Sequence, residues 1–309
     1  MTALLVGTPA EPPVETAGRR HGAGLWGAIR RSRKAQVGLA MLFVFCMFAA
    51  APQLFTSVRH PNDVAFPPRL PPSGAHWLGT TALGQDIWAQ LVYGTRESLV
   101  IAVVAGAFAT VLSVLVGVSA AYLGGIADDG LSMFTNVFLV IPTFPLIIIL
   151  ATYAGNGTLP VVLIVLIVTG WSYGANQLRA QTLSLRNRDF LEAARVRGER
   201  RSYVIFAEVL PTMTSLILAT FLGAALYSVL TAAGLQFIGL GDPNSISWGT
   251  MLYWAQNQQA LQTGTPLWSI APGLCVALLG ASFALINYAF DEISNPALRP
   301  VRGRRRARG

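Results

Sequence analysis

The chain has 309 residues, 53% of them hydrophobic and only 12% charged, with a net charge of +8, against roughly a quarter charged in an ordinary soluble domain. That composition excludes a disordered chain and argues against a cytosolic globule. No charged residue occurs in 98–127, 130–178, 209–241 or 243–290, and a helix rising about 1.5 Å per residue needs roughly 20 apolar residues to cross a hydrocarbon core about 30 Å thick.

Residues 1–34 are mostly polar, contain Pro12 and Pro13, and read as a basic leader. The apolar stretch 35–55 that follows exceeds the roughly 7–15 residues of a signal-peptide core, so it is expected to remain as a first transmembrane anchor. Segment 56–97 lies outside the membrane in this reading. Its end, 83–99, carries Ile87, Trp88, Leu91 and Val92 on one helical side and Gln85, Asp86 and Gln90 away from it, the pattern of an interfacial helix.

Five further spans are expected at 98–124, 131–154, 159–177, 211–233 and 267–290, giving a core of 98–290 and a basic tail, 291–309. Gly117 with Ala121, and Ala120 with Gly124, have the small-residue spacing that lets helices approach closely. Pro142 and Pro145 remove backbone donors and should bend the third span; a bend either shapes a pathway or accommodates a neighbour.

The ionisable residues exclude several chemistries. The single lysine, Lys34, is followed by Ala35, so a phosphate-binding loop ending in Gly-Lys-Ser/Thr is absent. His21, His60 and His76 lie outside the spans, which removes paired intramembrane haem ligands and a buried Ser-His dyad. No acid stands at the centre of a span, as a proton-coupled carrier would need. Cys46 and Cys275 read as small apolar core residues.

Basic residues set the orientation. Six precede residue 35, seven lie in 179–201 and six in 299–308; Arg59, Arg69 and Arg96 remain. Six spans place the three clusters on one side, and the positive-inside rule makes it cytoplasmic, with both termini. Attraction of these arginines to anionic lipid explains the net charge without nucleic acid.

Between spans four and five, the coupling loop 179–210 contains a short helix written at both ends. Asp189 reads as its N-cap with Glu192 three residues on, and Gly198 suits the left-handed stop. Ala193 and Ala194 would present a small surface. Such a helix is marginal alone, which fits a docking element; a structured loop on the membrane would look the same.

Glu192, Ala193 and Ala194, then Gly198, then Leu210 and Pro211 resemble the EAA motif of permease subunits in binding-protein-dependent ABC importers. His76, Leu78, Gly79, Thr80, Gly84 and Asp86 before span two, Phe237–Gly241 and Ser247–Leu252 after span five, Pro272 and Gly273, and the ending Asn295, Pro296 and Arg299 resemble the C-type subunit of the dipeptide/oligopeptide branch. The resemblance covers roughly residues 75–299. Thr81, Gln85, Glu208 and Thr212 depart from the branch's usual residues.

The resemblance implies an all-α integral membrane fold of six transmembrane helices with a short cytoplasmic coupling helix, the type I importer permease fold, in a bacterial cytoplasmic membrane. It implies a heterodimer with a second permease, two ATP-binding cassette subunits that use ATP and Mg, and an extracytoplasmic solute-binding protein; this chain would bind no cofactor or metal and catalyse nothing. Di- or oligopeptides are the expected solute, with oligosaccharides or nickel as alternatives and an ion-coupled carrier as a rival of another class. Glu192, Ala193, Ala194, Arg195, Gly198, Leu210 and Pro211 would couple to an ATPase subunit. In that scheme Glu192 would pair with Arg195, and Pro211 would begin span five. Trp88, Gln256 and Asn257 are candidates for contact with a gate or with the binding protein.

Overall fold

The computed structural model describes residues 32–154 and 157–294, side chains excepted at 154 and 289–294. Most of the leader and tail, and the motif at 295–299, lie outside the described residues. Within them all regular structure is helical, apart from one isolated bridge between Thr80 and Asp86.

Helix α1, Arg33–Ala50, is capped by Ser32, whose hydroxyl accepts the Ala35 N–H at 3.4 Å. Ala35, Gly38 and Phe45 turn inward while Phe43, Val44 and Met47 are exposed. An apolar helix with an apolar outer face is what lipid contact allows. Cys46, expected in the core, is also on the exposed face.

Helix α2, Ile87–Leu123, has 37 residues, about 55 Å at the helical rise, and so outreaches the membrane core. It absorbs most of the stretch expected as a separate interfacial helix. Asp86 and Gln90, expected to face water, are buried along with Ile87, Leu91 and Val92. The amphipathic pattern was real, but both sides are covered by the chain itself. Further along, small residues permit close crossings: a Cβ on Gly106 would come within 2.9 Å of the Ala225 backbone, and one on Gly117 would collide with the Ala175 carbonyl.

Gly124 (φ +67°) and Gly125 (φ +56°) turn the chain directly into α3, Gly125–Val140. Helix α4, Thr143–Ala154, follows after Ile141 and Pro142, and the pair is bent by 89°. The expected proline bend is thus a full break. Pro142 has no N–H to continue α3 and disfavours helical geometry at Ile141, which is extended (φ −61°, ψ 129°).

Helices α5, Leu159–Gly170, and α6, Ser172–Leu185, meet at buried Trp171, whose ring stacks on Phe134 and packs against Phe138 of α3. Together they form one span that runs to 185 rather than 177. Then come α7, Asp189–Val196, α8, Thr214–Phe237, α9, Trp248–Asn257, and α10, Leu267–Ser294. Among the described residues, five helical stretches are long and apolar enough to cross a membrane, and the bent α3–α4 pair makes a sixth when it is one span.

Candidate coupling site and transmembrane cavity

Helix α7 has one inward and one outward side. Leu191 and Ala194 are fully buried, in one apolar cluster with Val118 and Tyr122 of α2, Leu178 and Leu185 of α6, and Val204, Val209 and Met213. Glu192, Ala193, Arg195 and Val196 are exposed. Of the two adjacent alanines, only Ala193 therefore offers an outer surface. Successive residues on a helix point about 100° apart, so both could not have done so equally.

The helix begins one residue earlier than expected. Arg188 is the N-cap; its carbonyl accepts the N–H groups of Leu191 (3.0 Å) and Glu192 (3.1 Å), and no side chain caps. Asp189 is thus the first helical residue, without a capping box to Glu192. The two carboxylates still lie in the first turn, where the helix dipole favours them. Glu192 does not pair with Arg195, whose guanidinium lies over the Tyr122 ring at 5.8 Å.

The other end closes as expected at Gly198, whose φ is +76°. Its N–H donates to the Arg195 carbonyl at 2.9 Å, and the Glu199 N–H donates to the Ala194 carbonyl at 3.2 Å. These are the paired bonds of a Schellman stop.

After a helical turn, Arg201–Tyr203, the backbone widens into a π-helix, Val204–Val209, where the Leu210 N–H donates to the Ile205 carbonyl. Pro211 sits in the turn Leu210–Thr212, and the long helix resumes only at Thr214. Proline cannot donate and its ring crowds the carbonyl four residues earlier, so widening the preceding turn accommodates it. The Thr212 hydroxyl donates to the Glu208 carbonyl at 2.7 Å. Arg197 reaches toward Glu199 (3.8 Å) and Glu208 (4.0 Å).

A cavity of about 380 Å³ opens within the bundle, between the α3–α4 break, the α5–α6 junction, α8 and α10. Its lining combines Thr169, Tyr173, Gln177, Thr220 and Asn287 with small and apolar residues, none charged.

The sequence profile of the family described as binding-protein-dependent transport system inner membrane component matches residues 113–299. This chain belongs to that family. The permease is 31% identical over 276 residues to the oligopeptide transport system permease protein OppC of Mycobacterium tuberculosis, covering 88% of this chain and 93% of the relative. It is 32% identical over 233 residues to the glutathione transport system permease protein GsiD of Pectobacterium atrosepticum, covering 74% and 75%. To the dipeptide transport system permease protein DppC of Alkalihalophilus pseudofirmus it is 28% identical over 273 residues, 88% of each chain. It is a multi-pass inner membrane component, not the enzyme of its transport system.

The permease holds Trp88 within its own fold: the indole N–H donates to the Phe55 carbonyl at 2.8 Å, and the ring packs against Phe48 and Trp77. Gln256 and Asn257 are exposed at the end of α9. Asp86 caps α2 by accepting the Ala89 N–H at 2.7 Å and pairs with His76 Nδ1 at 2.7 Å.

Two contacts of the permease escaped sequence reasoning. Asp128 in α3 binds Arg179 in α6 through two bonds. Glu97 accepts from Gln236 (3.3 Å) and Ser245 (3.2 Å), tying α2 to α8 and the loop after it. The available signal was that these charges stand at the edges of charge-free stretches, where an unpaired charge is expensive.

Proposed function

We propose that the permease forms half of the transmembrane pathway for di- or oligopeptides delivered by an extracytoplasmic binding protein. A second, different permease would complete the pathway, and two cytoplasmic ATPase subunits would supply ATP and Mg chemistry. The names of the relatives support the peptide reading over oligosaccharide or nickel import. The distribution of arginines supports cytoplasmic termini and a cytoplasmic α7.

The two-sided build of α7 carries the coupling reading. Glu192, Ala193 and Val196 form an outward surface for an ATPase groove, while Leu191 and Ala194 are locked against α2 and α6. When ATP draws the ATPase pair together, a force on the outer side passes through that buried cluster into two membrane helices. Close-packed interiors transmit such displacement instead of absorbing it. The π-helical stretch between α7 and α8 is a wider, less regular turn, suited to absorb the change in angle.

The test is reconstitution of the permease pair, ATPases and binding protein in sealed vesicles. ATP-dependent uptake of labelled di- and oligopeptides is expected. Uptake independent of ATP, or confined to sugars or nickel, would refute the reading.

A further inference from the structure

Helix α6 carries a polar stripe along the end of the α5–α6 stretch. Tyr173, Asn176, Gln177 and Gln181 are all exposed, spaced so that they share one side of the helix. Side-chain amides against hydrocarbon carry a large desolvation penalty, so this side meets water or protein. Tyr173 and Gln177 also line the cavity of about 380 Å³, a volume in the range of small-ligand sites.

Across from them, α8 keeps the space open. A Cβ placed on Gly223 would meet no atom within 4 Å. From α10 comes Asn287, another lining residue, whose Oδ1 is buried without a hydrogen-bond partner. An unpaired buried carbonyl oxygen needs an explanation, and an N–H donor on a ligand supplies one. The Thr220 hydroxyl donates to the Leu216 carbonyl of its own helix at 2.9 Å, leaving its oxygen free to accept, whereas Thr169 Oγ1 already accepts from the Tyr227 hydroxyl at 3.4 Å.

We infer that this cavity holds the main chain of a peptide in transit through neutral hydrogen bonds, so that passage is indifferent to charge on the solute's side chains. Peptide groups offer both the donors that Asn287 Oδ1 lacks and the acceptors that suit the Gln177 amide. The inference rests on the peptide-import reading above.

The experiment compares uptake of tripeptides with central Lys, Ala or Glu by the full reconstituted assembly. Gln177→Glu is expected to raise the Lys-to-Glu uptake ratio about tenfold over wild type, because a carboxylate on the cavity wall acts at close range on a passing charge. Gly223→Leu is expected to lower uptake of all three alike, while solute-stimulated ATP hydrolysis persists. An unchanged ratio in Gln177→Glu overturns the inference. Should Gln177→Glu fail to assemble with normal abundance of the rest, Gly223→Leu decides, and undiminished uptake overturns the inference. A wild-type assembly that imports no peptide refutes the proposed function first, and this inference with it.

Discussion

Asp128 and Arg179 face each other 51 positions apart in sequence, with Nε to Oδ1 at 2.6 Å and Nη2 to Oδ2 at 2.9 Å. The Ser132 hydroxyl adds a third bond, to Oδ1, at 3.0 Å. The pair clamps the first turn of α3 to α6, ahead of the arginines at 186–201. Two parallel bonds between a planar guanidinium and a carboxylate are geometrically specific. Arg179→Lys keeps the charge and loses the fork, and should lower stability by about 1–2 kcal/mol. A charge swap, Asp128→Arg with Arg179→Asp, should recover part of that. Full recovery is not expected, since a cation in the first turn opposes the helix dipole. Thermal unfolding in detergent reads this out; single variants melting with wild type would show the clamp to be idle.

Gly198 supports a prediction about coupling. A Cβ there meets no atom within 4 Å, yet the φ of +76° is one that side-chain-bearing residues rarely adopt. Gly198→Ala should therefore cost about 1 kcal/mol in the loop alone, fraying α7 while leaving membrane insertion intact. Gly198→Asp adds a carboxylate at the same edge and should uncouple more completely. Solute-stimulated ATP hydrolysis by the assembled complex is the measurement, with membrane abundance as control. Normal stimulation in a correctly inserted Gly198→Asp complex contradicts the docking role.

The adjacent alanines of α7 should respond oppositely. Ala194 is fully buried, so Ala194→Leu overpacks its cluster, at about 1–3 kcal/mol, and should lower the melting temperature of the permease on its own. Ala193 is exposed, so Ala193→Arg should leave that temperature unchanged and weaken association with the ATPase subunits. Equal melting of both variants would refute the two-sided placement of α7.

Energy supply is a separate matter. The purified permease should neither bind nor hydrolyse ATP, because Lys34, its only lysine, has no phosphate-cradling sequence beside it. Hydrolysis should begin when the ATPase partners are added. Labelled-nucleotide binding by the single purified chain would be decisive against this.

Orientation can be read by thiol labelling in a background with Cys46→Ala and Cys275→Ala. Cysteines at Ser73 and Asn257, both exposed, should react with an impermeant reagent in intact cells. One at Ser202, also exposed, should react only once the membrane is opened. About 1 kcal/mol per basic residue near an anionic surface, multiplied over the clusters, makes this orientation strongly preferred. Labelling at 202 in sealed cells would reverse the topology and remove α7 from the ATPases.

What the sequence by itself determined is local. Charge-free stretches marked the membrane segments, since crossing hydrocarbon depends on composition within one window. Gly198 marked the end of α7 because a positive φ is a property of single residues. Pro142 and Pro145 marked the bend, though not its 89° size. Tertiary structure decided the rest: that 83–99 is covered on both sides and mostly continues into α2, that Ala194 turns inward while Ala193 does not, that Trp88 is held by Phe55, and that Asp128 meets Arg179. In a membrane chain the outer surface is as apolar as the interior, so hydrophobic periodicity no longer tells a helix which side faces its neighbours. That choice is made by which small residues let backbones approach and which rare polar groups find one another across them.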